Sequence, residues 1–331
     1  AKQFVVDLIG EADKLALNLL VAGIAVGIAA GLGVLGRTRF DLARIGFALF
    51  GLVALAASLR DPLASPLTSL VVAAAAVAVS ILVLRWLLGT ARQLAEPGEP
   101  EMPAWQRRRF LIGAGGLVVA SVASGAIGRT LLERGRLGAV PQTGELPEPA
   151  ITAAPIPEGA ELAVGGITPL ITPNERFYRI DTALIIPRPD LATWRLRITG
   201  MVDRPYELTY DELLAEPIVE QHVTIACVSN EVGGNLVGNA RWGGASLRRL
   251  LDRAGVQPGA TQIVGRAVDG FTVGFPTAWG LGAARESLVA VTMNGERLPP
   301  DHGFPARLIV PGLYGYVSAT KWLTEIEMTT L

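Results

Sequence analysis

The chain has 331 residues, 50% of them hydrophobic and 18% charged, with a mean hydropathy of +0.41, too apolar for a uniformly water-soluble protein. Lysine and arginine number 29 against 30 acidic residues, a net charge of −1 that offers no basic footprint for nucleic acid. A single cysteine, Cys227, and two histidines, His222 and His302, exclude an intrachain disulfide, a multi-cysteine zinc or iron–sulfur site and a centre built on several imidazoles.

The apolar excess lies before Leu132. Residues 15–36 and 63–84 carry no charged side chain, and each is long enough to cross a bilayer as a helix. Residues 42–59 are shorter and place Arg44 in the first turn, where it can snorkel to the interface; residues 110–128 are apolar and glycine-rich. The reading is a helical bundle of about four spans, 15–36, 42–59, 63–88 and 110–128, within an anchor covering residues 1–132.

Arginines in the short loops set the orientation. Arg37, Arg39 and Arg44 follow the first span, and Arg85, Arg92, Arg107, Arg108 and Arg109 lie between the third and fourth, so those loops are expected in the cytoplasm. The fourth span then delivers everything after it to the extracytoplasmic side of the cytoplasmic membrane. By the same count Ala1 starts outside, which leads us to expect a further segment upstream. The spans hold no ionisable group at mid-bilayer and no histidine, which disfavours a transporter or a haem bundle. Gly23, Gly27 and Gly31 form a GxxxGxxxG face, expected to serve intrachain packing rather than dimerisation. Arg107 to Ile112 can be read as positive-inside charge or as a twin-arginine export signal, which carries an already folded domain across.

From Pro141 to Pro173 prolines at 147, 149, 155 and 157 preclude a continuous helix, giving a linker over residues 133–173. Beyond it the pattern becomes mixed. Trp194 to Ile198, His222 to Val228 and Ala306 to Val310 read as strands. Thr209 and Glu212 form a capping box, Ser246 to Ala254 reads as a helix stopped by Gly255, and Asn294-Gly295 marks a hairpin. The expected fold is a mixed α+β domain over residues 174–331.

No dinucleotide, P-loop or nucleophile-elbow motif occurs. Cys227 ends an apolar strand before a polar, glycine-rich loop. Alone it could be an inert buried thiol, a nucleophile or the single thiolate of a soft metal. His222 on the same strand projects to the opposite face and is a poor partner for it.

Several blocks occur in order: Thr172 to Tyr178, Trp194 to Gly200, Cys227, Ala240-Arg241-Trp242-Gly243-Gly244, Pro299 to Gly312 and Lys321-Trp322-Leu323. Together they resemble the molybdopterin-binding domain of the sulfite oxidase family, which includes the catalytic subunit of periplasmic protein-methionine-sulfoxide reductase. The resemblance implies an α+β fold and molybdenum held by one pyranopterin dithiolene (Mo-molybdopterin), with Cys227 as its protein ligand. It implies cofactor contacts from Tyr178 and Arg179, extended by Asp181 and Thr182, and from His302, Arg307, Ser318, Thr320 and Lys321. The phosphate end of such a group calls for converging guanidinium, ammonium and hydroxyl donors. Cys227, Arg241 and Trp242 make the expected catalytic set.

The chain also departs from sulfite oxidases proper. Val228-Ser229-Asn230-Glu231 follows the cysteine, Ile180 stands where an arginine is expected, and a Glu231 carboxylate in the pocket would repel sulfite. The expectation is therefore a membrane-anchored oxidoreductase acting on a small or protein-bound S- or N-oxide. Electrons would pass to or from a separate quinone-linked or cytochrome-type carrier. The alternative is a cofactor-free binding or assembly module on the same fold. The chain stops at Leu331, where sulfite oxidases continue into a dimerisation domain, so either a short, monomeric member or a further C-terminal domain is expected.

Overall fold

A computed structural model describes residues 13–60, 64–93, 104–137 and 146–330, apart from 163, 166, 184, 185, 283 and 284. The expected start outside the membrane at Ala1, and residues 138–145 of the linker, lie outside the described residues. The chain divides into two compact units, Ala1–Leu132 and Glu133–Leu331.

Among the described residues the first unit holds α1 (Asp13–Gly36), α2 (Phe40–Ser58), α3 (Pro66–Gln93) and most of α4 (Ala104–Leu137). Each contains a stretch long and apolar enough to cross a membrane: Leu19–Gly36, Phe40–Ser58, Pro66–Thr90 and Phe110–Gly128. Apolar side chains such as Leu19, Val26, Leu52, Val71 and Val119 are more than half exposed. Outward apolar faces of this kind are stable only in an apolar solvent. At 1.5 Å per residue the 34 residues of α4 span about 50 Å, well beyond the roughly 30 Å hydrocarbon core.

Packing inside this unit uses other glycines than the sequence suggested. A Cβ at Gly46 would sit 2.4 Å from Leu32, one at Gly51 2.3 Å from Val77, and one at Gly113 2.6 Å from Trp86. Gly23, Gly27 and Gly31 meet no described atom within 4 Å, which corrects the expectation that their face packs within the chain.

Among the described residues the second unit is built on two sheets. One has the order β2-β1-β10-β5-β6 and the other β3-β4-β7-β8, with β9 also on β7. Their ranges are β1 Leu196–Gly200, β2 Tyr206–Leu208, β3 Ile218–Ala226, β4 Val237–Ser246, β5 Gln262–Ala267, β6 Thr272–Pro276, β7 Leu288–Met293, β8 Glu296–Arg297, β9 Arg307–Ile309 and β10 Leu323–Thr329. Short helices α5 (Tyr210–Leu214), α6 (Leu247–Ala254), α7 (Thr277–Gly280) and α8 (Gly315–Ser318) fill the connections.

Local chemistry accounts for several of these elements. Thr209 and Glu212 exchange both bonds of the capping box at the start of α5. Ser246 caps α6, and Gly255 stops it at φ 71°. Asn294 and Gly295 turn β7 into β8 with φ of 55° and 82°, the paired left-handed geometry of a type I′ turn. Leu247, Leu250 and Leu251 of α6 are fully buried against Leu196, Ile198 and Ile326 of the first sheet.

The central strand β4 depends on glycine. A Cβ at Gly244 would meet the Val289 carbonyl oxygen at 2.2 Å, so β4 and β7 can approach only where no side chain intervenes. The register shifts between Gly243 and Gly244. This bulge removes the clean alternation from the sequence, and no strand is legible there.

The linker is more than a tether. Ile151 bridges Val219 in parallel, Glu220 donates to Ile151 O at 2.8 Å, and Thr172 donates to Asn239 O at 2.8 Å. Its residues 146–173 are therefore fixed to β3 at Ile151 and to β4 at Thr172, while residues 133–137, expected in the linker, continue α4.

Candidate active site

Four segments of the second unit converge on a cleft of about 260 Å³. The first follows a short turn at Asn174–Arg176. Phe177 is buried, stacks on Tyr178 with ring centroids 5.4 Å apart, and crosses Trp242 edge-on at 5.7 Å. This packing presents Tyr178 to the cleft. Its hydroxyl lies so near α8 that a Cβ at Gly315 would be 2.8 Å from it. Burial pushes the Tyr178 phenol up to about 12, against the opposing pull of Arg307. At neutral pH it is a hydrogen-bond donor without charge.

Cys227 lies one residue beyond β3. Its backbone N–H donates to Leu236 O at 2.8 Å and its carbonyl accepts from Asn230 at 3.0 Å, so the turn pins the thiol at the cleft wall. Cys227 is 7% exposed and its thiol is free of any disulfide. His222 pairs in register with Arg241, on the face of β3 away from Val223 and Ile225.

The third segment runs from Pro300 through β9. Arg307 is 4% exposed and lines the cleft, with its guanidinium 5.1 Å from the Trp242 ring centroid. It donates to His302 O at 3.2 Å, while its Nε meets no acceptor among the described residues. Burial pulls it down to about 10, and at neutral pH it stays a cation. His302 stands behind the wall. Its Nε2 is 2.8 Å from the Asn174 carbonyl, which can only accept. Nε2 therefore carries the proton, leaving Nδ1 buried with no partner among the described residues. Burial keeps His302 below its usual value and neutral.

The fourth segment is α8 and the turn into β10. Trp322 adopts φ 50°, costly for a bulky residue, and is held by its indole N–H on Pro300 O at 2.7 Å. The kink turns Lys321 inward, where Nζ meets Asp181 at 3.2 Å and Asp301 O at 2.9 Å. Burial and the neighbouring Arg307 push Lys321 down to about 7, partly offset by Asp181.

A pH dependence follows from that shift. The unfolded chain holds the Lys321 proton up to its usual 10.5 and the folded chain releases it near 7. The penalty is complete below about pH 7 and disappears as pH rises towards 10.5. Tyr178 and Tyr206, both pushed up to about 12, act in the opposite direction only above about pH 10. The unfolding midpoint of cofactor-free protein should therefore climb between about pH 7 and pH 10, and Lys321→Met should flatten the climb.

Of the residues expected from the sequence, Tyr178, Asp181, Thr182, Cys227, Arg307 and Lys321 line the cleft. Arg179 sits at its edge and pairs with Asp181 at 2.8 Å. Ser318 bonds Tyr314 O at 3.1 Å within α8. Thr320 is buried with its hydroxyl unpartnered among the described residues. Arg241 and Trp242 do not line the cleft. They are consecutive on β4 and project to opposite faces: Trp242 is fully buried beneath Arg307, and Arg241 pairs with Glu220 at 3.6 Å. Glu231 is exposed and also lies outside the lining. Sequence reasoning missed Asp269, Phe271 and Tyr316, which also line the cleft. Asp269-Gly270 carries a turn signal, yet nothing local says that the turn overhangs a cleft, where Asp269 accepts from Thr182 at 3.2 Å.

Residues 183–331 match the oxidoreductase molybdopterin binding domain family. The uncharacterized oxidoreductase YuiH of Bacillus subtilis (strain 168) is 36% identical over 140 residues, covering 42% of this chain and 67% of YuiH. The chain belongs to this molybdopterin-binding oxidoreductase family. Nitrate reductase [NADH] 1 of Oryza sativa subsp. japonica is 36% identical over 171 residues, 44% of this chain. The chain spans 19% of the length of that relative. Among solved structures, the sulfane dehydrogenase SoxCD of Paracoccus pantotrophus overlaps 50% of this chain and 45% of its own at 24% identity and a TM-score of 0.46, a likeness too loose to bear on activity.

Membership implies a molybdenum cofactor, and the residues present fit one. A buried thiol, an Arg307 Nε without an acceptor among the described residues and a desolvated Lys321 face one cleft. That donor set suits a soft metal at one position and a phosphate at another.

Proposed function

We propose that this chain is a membrane-anchored, molybdenum-dependent oxidoreductase working on the extracytoplasmic side, with oxygen-atom transfer on S- or N-oxide substrates. The convergence of Cys227, Arg307 and Lys321 on one cleft carries the reading. Cys227 would ligate the metal, while Arg307 and Lys321 would hold the phosphate end of the pterin. When bound, the cofactor supplies two-electron oxygen-atom chemistry.

The chain's own residues determine access and charge. Tyr178, neutral at physiological pH, offers a hydrogen-bond donor beside Cys227. Ile180, Phe271 and Tyr316 give the mouth an apolar wall. Such a wall excludes water and accepts an uncharged organic body more readily than a small dianion. Ile180, where relatives that take an anion are expected to carry arginine, supports an oxide over sulfite. No haem or iron–sulfur motif occurs in the sequence, so electrons are expected from or to a separate carrier.

The test is a substrate screen on purified protein with its molybdenum content measured in parallel. Sulfoxides and N-oxides should be reduced with a reduced dye as donor, at rates exceeding sulfite oxidation with a dye acceptor. Protein without near-stoichiometric molybdenum would defeat the cofactor reading, and faster sulfite oxidation would overturn the substrate assignment.

A further inference from the structure

The charges of the cleft are unevenly matched. Arg307 and Lys321 bring two buried cations to its lining, and Arg179 adds a third, partly exposed, at its edge. Asp181 is the buried carboxylate that answers them, accepting from Arg179 at 2.8 Å and from Lys321 at 3.2 Å. Its side chain is 4% exposed and that of Lys321 is 8% exposed. Its charge also favours the protonated form of Arg307. The other carboxylate in the lining, Asp269, is engaged by the Thr182 hydroxyl and the Phe271 N–H.

We propose that Asp181 is an internal counter-ion: it keeps the cationic end of the cleft assembled and competes with the phosphate of the cofactor for Lys321. The inference rests on the reading that the cleft takes a phosphorylated pterin. Its physical basis is a pair of opposed effects. A desolvated ammonium or guanidinium without a nearby anion is strongly unfavourable, so Asp181 stabilises the cofactor-free chain. The same carboxylate, in contact with Lys321, repels an arriving phosphate. Neutralising it should therefore weaken the fold and tighten anion binding, whereas a residue needed only to orient Lys321 would lose both together.

The experiment uses the full chain in detergent, made without pterin synthesis, and inorganic phosphate as the probe. Wild type and Asp181→Asn are compared near pH 6, below the Lys321 titration, by calorimetric titration and by unfolding midpoint. The variant should unfold at a lower temperature in phosphate-free buffer yet bind phosphate about tenfold more tightly. Equal or weaker phosphate binding would overturn the proposal. A variant that folds only with phosphate present supports it, and one that stays unfolded even then overturns it. Lys321→Gln should abolish the phosphate response in both backgrounds; a response that survives places phosphate elsewhere and also overturns it. If phosphate binds as expected but the pterin-supplied wild type never carries molybdenum, the cofactor reading fails and this role of Asp181 as a counter-ion stands. If molybdenum is present and Asp181→Asn leaves phosphate binding unchanged, only this inference fails.

Discussion

Cys227→Ser should fold and insert normally while losing molybdenum and lowering dye-coupled activity by well over about 100-fold, since perturbing even outer-shell partners of a metal commonly costs 10–100-fold. The expectation of normal folding comes from the backbone. The turn that positions residue 227 is held by main-chain bonds to Leu236 and Asn230, which serine leaves intact. The side chain changes by one atom in a lined cleft rather than in the centre of the core. Metal content by mass spectrometry, read against the unfolding midpoint, separates loss of ligation from loss of fold. A serine variant with full activity would sink the molybdenum mechanism and favour a cofactor-free binding module, which predicts no dependence on the thiol.

The second large effect concerns topology. Arg107 and Arg108 lie near the start of α4 (Ala104–Leu137), ahead of the fourth apolar stretch. Replacing both with lysine keeps every positive charge, so a purely electrostatic orientation rule predicts no change. An export signal read through its paired arginines would be disabled. We expect the first three helices to remain inserted and the cofactor-binding unit to be stranded inside, a nearly all-or-none change. Protease added to spheroplasts measures it: wild-type protein should lose its second unit and the variant should keep it. Equal digestion of the two would leave the arginines with charge alone as their role.

Much of the fold was legible because its signals are local. Apolar length marked the four apolar stretches to within four residues, although α4 itself extends six residues before and nine after its stretch. The capping box of Thr209 and Glu212, the stop at Gly255 and the Asn294-Gly295 turn each depend on chemistry within four positions of sequence. What escaped depends on partners far along the chain. Strand β4 is a run of Val, Gly, Asn, Ala and Arg whose glycines answer to β7, and the sequence of β4 alone does not contain that requirement. The same limit explains the site. Cys227, Arg307 and Lys321 came from ordered family blocks, and they share the cleft. Arg241 and Trp242 came from the same kind of block, yet adjacent strand residues cannot both face one pocket. Asp269, Phe271 and Tyr316 carry no motif and join the site through tertiary placement alone.

The pairing of β1 with β10 bears on when this molecule can take shape. Arg197 to Gly200 lie alongside Glu325 to Met328 in parallel, and β10 then continues the sheet into β5. β1 can pair with β2 as soon as both are made, but its other edge stays open until residues 323–329 have been synthesised, long after the apolar helices. The apolar helices are therefore complete before the second unit can close. A cofactor seated in the closed unit would be acquired only once the whole chain, apolar helices included, has been made.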